Sequence, residues 1–387
     1  MAGSAAVAAM LAFTGVANAV ESLESETLQS ETPRSETPQS ESLKSETSES
    51  ESLDSGSLDS GSLDFGSLAT GSVGPGSSVP EAFVENPDPV PPTRDDITTP
   101  AIVGQKIVSA QQQQLTIASP ALRREVTVQV LAPVGGSTGR PVLYMLDGVS
   151  APEHASDWSN RVVRDFFADK DTNVVFLNGG RGSMYTDWDL PDPRLGWNRW
   201  ETFITDELPP LIDAKLGANG RNVIAGNSMG AQAAMMLAHR NPTLYAGVAA
   251  YSGCYSTSDT LGRLSAQLTT TSQGGDPANM WSNPTGPAWV EHDTLRNAEA
   301  LRGKELYVSA GTGRPGPLEE GANARTLLIG GVLEAGANMC TRQLESRLDQ
   351  LRIPATFSYS PTGVHDWPLW LQELPESWPS LQRGLGI

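Results

Sequence analysis

From about residue 120 onward the chain alternates short apolar runs with helix-forming stretches. Val126–Leu131, Pro141–Leu146, Asn173–Leu177, Asn222–Ala225, Ala246–Tyr251, Glu305–Ser309 and Ala355–Tyr359 read as strands, several of them apolar throughout. A strand with no polar face is buried on both sides, and this predicts a mostly parallel sheet. Trp200–Leu216 and Asn338–Leu351 read as helices between them. The pattern therefore predicts an α/β domain, a central sheet with helices on both faces.

Ligands of such sheets bind beyond the carboxyl ends of the strands. Four ends carry glycine-rich turns: Asp147-Gly148-Val149, Asn178-Gly179-Gly180-Arg181, Gly226-Asn-Ser-Met-Gly230 and Ala310-Gly311-Thr312-Gly313. The third lies between a β-branched run and the helix-forming Ala231–Leu237. Strand, Gly-x-Ser-x-Gly and helix in that order form a nucleophile elbow, in which Gly226 and Gly230 make room for a tight turn at Ser228. The elbow sets its serine at a helix N-terminus, where backbone N–H groups favour the charge of a tetrahedral acyl intermediate. Ser228 is thus the predicted nucleophile of an α/β-hydrolase fold.

A serine hydroxyl needs a base, usually histidine, oriented by a carboxylate. His239 lies eleven residues along the helix from Ser228 and reads as a surface residue, while His154 and His292 fall in polar loops. His365 follows the last strand, which is where hydrolases of this architecture keep their base. The acid is expected between Ser309 and His365, with Glu319, Glu320, Glu334 and Glu345 as candidates. Glu345, among charged neighbours, reads as solvated; Glu334, in Gly330-Gly-Val-Leu-Glu-Ala-Gly336, has the apolar flank that buries a carboxylate beside an imidazole. Met229 and Val149 supply the two expected oxyanion N–H donors.

The first quarter changes the picture. Ala5–Val16 is a short apolar run ending in Ala17-Asn18-Ala19, which fits a signal peptide over residues 1–19, although no basic residue precedes Arg34. The run is too short to span a bilayer. From Ser25 the chain repeats in fives, Ser-Glu-Thr-Leu-Gln and its variants, through Asp64. One Leu or Pro per repeat cannot offset a backbone ordering cost of roughly 1–2 kcal/mol per residue. Residues 20–100 therefore read as a disordered Ser/Glu/Pro-rich linker, either a spacer or glycosylated stalk or a slippage-expanded tract, followed by a catalytic domain at 101–387.

Residues 20–99 hold 17 acidic and 3 basic side chains, so −14 of the net −19 belongs to this segment. The domain is only mildly acidic and lacks the basic stripe of a nucleic-acid binder. No metal cluster, phosphate loop or cofactor motif appears, so no cofactor is expected. Cys254 and Cys340 are the only cysteines, and an even count in an exported chain favours a disulfide between them.

Tyr144-Met-Leu-Asp-Gly148, Gly179-Gly-Arg-Gly-Ser-Met-Tyr-Thr-Asp-Trp188, Trp200-Glu-Thr-Phe203, Gly226-Asn-Ser-Met-Gly230 and Gly363-Val-His-Asp-Trp367 together resemble the secreted actinobacterial mycolyltransferases of the antigen 85 type. The resemblance covers nearly all of 120–387. It implies transfer of a mycoloyl chain between trehalose glycolipids, or onto a cell-envelope acceptor hydroxyl, through an acyl-enzyme on Ser228. It also implies His365 as base, a glutamate as acid, Val149 and Met229 as oxyanion donors, and Asp147, Asn160 and Trp367 as sugar contacts. The spacing around Glu334 differs from the family pattern by a few residues. An arginine expected after the Asp-Gly turn is replaced by Ser150, which leaves the acceptor open. Trp158, Trp188 and Trp197 suit either a cleft wall or the core. The protein is expected to be a secreted monomer at the cell wall or outer envelope, in contact with its lipid. Its alternatives are an exported carboxylesterase and an inactive surface adhesin.

Overall fold

The computed structural model describes residues 89–387 apart from 91, 160–162 and 284–285. The expected leader, nearly all of the expected linker and Asn160 lie outside the described residues. Nine strands form one sheet in the order β1-β2-β3-β5-β4-β6-β7-β8-β9. They are β1 Ala101–Ile107, β2 Gln112–Ser119, β3 Arg124–Leu131, β4 Val142–Leu146, β5 Asn173–Leu177, β6 Asn222–Asn227, β7 Tyr245–Tyr251, β8 Glu305–Ala310 and β9 Thr356–Tyr359. All seven expected strands occur within two residues of their expected bounds. From β5 through β4 to β9 every pairing is parallel. β1, β2, β3 and β5 pair antiparallel, so the sheet is mixed, and its first two strands were not expected.

Helix α1 is the short Val163–Phe167, α2 covers 200–216 with a π turn at Phe203–Glu207, and α3 is Met229–Arg240. Helix α4 is Thr260–Ser272, α5 is Ala324–Leu351 and α6 is Trp367–Leu385. Alternate residues of β4 enter different cores. Val142, Tyr144 and Leu146 pack with α2 and α3. Leu143 and Met145 pack with α1 and α6 on the other face. Each such side chain contributes roughly 1.5–3 kcal/mol by burial, which is why β4, β5 and β6 tolerate no polar face.

The parallel topology gathers helix carboxyl ends at the amino ends of the strands, and cations meet them there. Arg221 donates to the Gly384 carbonyl of α6, Arg302 to Leu351 of α5, and Lys304 to Pro242 just beyond α3. Each positive charge satisfies an orphan carbonyl and faces the negative end of a helix dipole. The opposite rim is left to the loops named above. Among the described residues no helix is long and apolar enough to cross a membrane.

Two sequence expectations are corrected by packing. The expected helix at 338–351 begins fourteen residues earlier, at Ala324, so Glu334 sits on a helix. His239 is not a surface residue: it is 5% exposed, because α3 is covered from Met229 to His239. Its Nδ1 lies 3.2 Å from Thr294 Oγ1 and its Nε2 3.1 Å from the Glu291 carbonyl. Burial holds its pKa down at about 4.

Candidate active site

Ser228 joins β6 to α3 with φ 54° and ψ −119°, a conformation rare for a residue with a Cβ. Such strain costs on the order of 1–3 kcal/mol and persists only where the surroundings enforce it. Here the Ser228 N–H donates to the Tyr251 carbonyl at 2.8 Å, and the Ser228 carbonyl accepts from Ala231 and Gln232. A Cβ at Gly226 would lie 2.5 Å from the Gly230 carbonyl oxygen, and one at Gly230 would lie 2.5 Å from that of Asp147. The glycines of the motif are therefore demanded by backbone contact.

His365 lies in the loop between β9 and α6. Its Nε2 is 2.7 Å from Ser228 Oγ, and its Nδ1 is 2.7 Å from Glu334 Oε2. With the carboxylate accepting from Nδ1–H, Nε2 is left to accept from the serine hydroxyl. The loop is fixed on both sides of the ring: the His365 N–H donates to the Gly330 carbonyl at 2.9 Å, and the Val364 N–H to Glu319 Oε1 at 3.1 Å. Trp370 packs edge-on against the imidazole, with centroids 5.1 Å apart.

Glu334 is fully buried. Its Oε1 accepts from Ser252 Oγ at 2.8 Å and from the Gly311 N–H at 2.6 Å, while Oε2 faces His365. Three partners offset the desolvation that an isolated buried carboxylate would suffer. The other acid candidates are placed elsewhere. Glu319 is buried and takes the Gly316 and Val364 N–H groups. Glu320 is exposed. Glu345 is half-buried and accepts from the Tyr359 hydroxyl, so it is less solvated than its neighbours suggested.

The turn after β4 reaches the same place. A Cβ at Gly148 would lie 3.5 Å from Ser228 Cβ, which puts Val149 beside the elbow. The Val149 carbonyl accepts from Gly182, tying this turn to the loop after β5. Met229 opens α3. Among the described residues neither the Val149 nor the Met229 N–H donates a hydrogen bond. A hydroxyl bonded to an imidazole, beside uncommitted amide donors, is equipped to form and release an acyl ester.

Asp147 does not reach the cleft surface as a sugar contact would. It is fully buried, accepting from Ser156 Oγ and from the Asp157 and Trp158 N–H groups. Burial, with the charge of Asp157 behind it, raises its pKa to about 7. Trp367 is half-buried at the rim, edge-on to Trp158 at 4.9 Å and Trp370 at 5.2 Å. Trp158 and Trp188 are core residues whose indole N–H groups serve the Leu146 and Ser183 carbonyls. Trp197 donates to the Ala121 carbonyl and lies under Arg123. His154 is exposed, and His292 is buried against Glu201 and the Ala288 carbonyl.

Sequence reasoning passed over Ser252, Gly311, Glu319 as a loop anchor, and Trp370. A signal existed for the first: Ser252 directly follows a fully apolar strand on the same rim. Its hydroxyl also accepts from Trp370 Nε1 at 3.0 Å. The two cysteines form the expected disulfide, with Cα atoms 4.8 Å apart.

Comparison with known proteins agrees with this architecture. The family model described as "Putative esterase" matches residues 119–381. The chain is 29% identical over 294 residues to diacylglycerol acyltransferase/mycolyltransferase Ag85A of Mycobacterium tuberculosis, covering 71% of this chain and 81% of that protein. It is 29% identical over 287 residues to Ag85B of Mycolicibacterium smegmatis, covering 71% and 85%. Among solved structures, Mycobacterium tuberculosis MPT51 matches with a TM-score of 0.61 and 26% identity, over 72% of this chain and 100% of that one. An S-formylglutathione hydrolase from Agrobacterium tumefaciens shares the fold, with a TM-score of 0.56, 19% identity, and 74% and 99% covered.

Proposed function

The chain belongs to the esterase family, and from that membership we propose that it is a serine acyltransferase of the antigen 85 type, moving a mycoloyl chain between trehalose glycolipids or onto a cell-envelope hydroxyl. The observation that carries this reading is the unbroken line from Ser228 Oγ through His365 to the buried Glu334, two contacts of 2.7 Å beside the 147–149 turn. The names of the Ag85A and Ag85B relatives support transfer as the outcome.

The reaction is a ping-pong sequence. His365 takes the hydroxyl proton as Ser228 attacks the ester carbonyl of a trehalose mycolate, and Glu334 stabilises the imidazolium that forms. The Val149 and Met229 N–H groups hold the oxyanion, a contribution worth on the order of 10²–10³ in rate per donor. His365 then protonates the leaving trehalose oxygen. An acceptor hydroxyl, deprotonated by the same imidazole, attacks the acyl-enzyme and frees Ser228. Trp367, at the rim, positions the incoming sugar so that its hydroxyl outcompetes water. Residues 1–19 direct export, and the protein acts at the cell wall or outer envelope.

Incubation of the purified full chain with trehalose monomycolate tests this. Trehalose dimycolate is the expected product. Free mycolate alone would assign a carboxylesterase, and no turnover would refute an acyl-transferring enzyme.

A further inference from the structure

We propose that the Cys254–Cys340 disulfide is a positioning element of the active site, so that acyl transfer depends on the redox state of this pair. The inference rests on the proposed roles of Ser228, His365 and Glu334. Cys254 lies two residues beyond Ser252, which bonds Glu334, and Cys340 lies six residues beyond Glu334 on the same helix. The bond thus joins the two segments that meet at the carboxylate.

The helix needs this joint where it carries the acid. Leu344 and Leu348, in the carboxyl half of α5, enter the large core between the sheet and α2–α3. The amino half enters neither large core, and Leu328 and Leu333 are 58% and 41% exposed. Gly330, Gly331 and Gly336 surround Glu334, and each weakens a helix by about 1 kcal/mol relative to alanine. Close approach requires the second of them and crowds the first: a Cβ at Gly331 would lie 2.8 Å from the Gly313 carbonyl oxygen, and one at Gly330 would lie 3.2 Å from Val364 Cγ2. This turn of helix is therefore weak for a steric reason. It is held by polar contacts at Glu334, by the Gly330 carbonyl accepting from the His365 N–H, by Asn338 donating to the Gly311 carbonyl at 2.7 Å, and by the disulfide, whose cysteines form a small separate cluster with Leu261.

Reduction by a dithiol is balanced: two electrons and two protons reach the pair, the S–S bond breaks, two thiols form, and the reductant closes to its cyclic disulfide. The released helix turn lets Glu334 leave His365, which lowers turnover more than substrate binding.

The test compares the oxidised full chain, the chain reduced with dithiothreitol to two titratable thiols, and Cys254→Ala/Cys340→Ala, each with trehalose monomycolate. Reduction is expected to lower kcat by about tenfold or more with KM within about twofold, reversibly on reoxidation. The double variant is expected to match the reduced enzyme and ignore the reductant. Glu334→Gln, slow from the start, is expected to lose less than about twofold on reduction, because the disulfide acts through that carboxylate. A kcat unchanged after both thiols titrate overturns the proposal. So does loss of the far-ultraviolet circular dichroism signal on reduction, which would make the pair a general staple. Fluorophosphonate labelling of Ser228 separates the two readings. Redox-dependent labelling without any transfer product refutes the substrate assignment and keeps this inference; transfer indifferent to reduction does the reverse.

Discussion

Ser252 hydrogen-bonds Glu334 across 2.8 Å, and through it the carboxylate is aimed at His365. Ser252 holds φ at 57° while its N–H donates to the Ser309 carbonyl, so its hydroxyl is fixed by the backbone. Ser252→Ala removes one of two bonds to Oε1 and leaves Trp370 Nε1 without its acceptor. A hydrogen bond to a charged group is worth about 1.5–3 kcal/mol, and each 1.4 kcal/mol is tenfold in rate. Steady-state kinetics are expected to show kcat reduced about tenfold with KM nearly unchanged. An unaltered kcat would remove Ser252 from the site.

Glu319 holds the loop that carries the base. A glutamine there offers a single amide oxygen to two N–H groups, those of Gly316 and Val364. Glu319→Gln is expected to lower kcat severalfold and raise mobility at 361–366, read by hydrogen exchange. A wild-type exchange pattern would contradict the anchoring role.

Gly230→Ala tests the elbow itself. The new methyl would meet the Asp147 and Leu146 carbonyl oxygens at 2.5 and 2.7 Å, and backbone cannot yield as a side chain does. Overpacking of this kind costs about 1–3 kcal/mol or more. Denaturant unfolding is expected to show that loss together with inactivity, and full stability would show the turn to be looser than described.

His239 gives the fold a pH dependence. Its folded pKa is about 4, against 6.5 for the unfolded chain. Above pH 6.5 both states are neutral there. As pH falls from 6.5 toward 4 the unfolded chain takes the proton first, so stability is lost, by roughly 3 kcal/mol across the window. His239→Gln is expected to flatten the denaturant midpoint against pH between 4 and 6.5. An unchanged slope would mean that His239 protonates in place.

What was legible in the chain followed from one-dimensional pattern. The fully apolar strands and the Gly-Asn-Ser-Met-Gly turn carry their own structural demands, and His365 follows from its place after the last strand. Strand β2 escaped notice because Gln112-Gln-Gln114 opens it with polar residues that pair with β3. The amino half of α5 was hidden by glycines that serve close packing. Helix α6 was obscured by Pro375 and Pro379, which lie one turn apart on its exposed face, where missing N–H bonds cost least. His239 looked exposed because nothing in its own helix reveals the 286–301 segment that covers it. Asp147 sits on the right rim, yet its loop turns back over it.

The central claim is that Ser228 carries the acyl group. Mass spectrometry of the enzyme quenched during turnover of trehalose monomycolate is expected to find the mycoloyl mass on the peptide containing Ser228, and none on Ser228→Ala. A Ser228→Ala protein that forms product at the wild-type rate, or an adduct on any other residue, would contradict it.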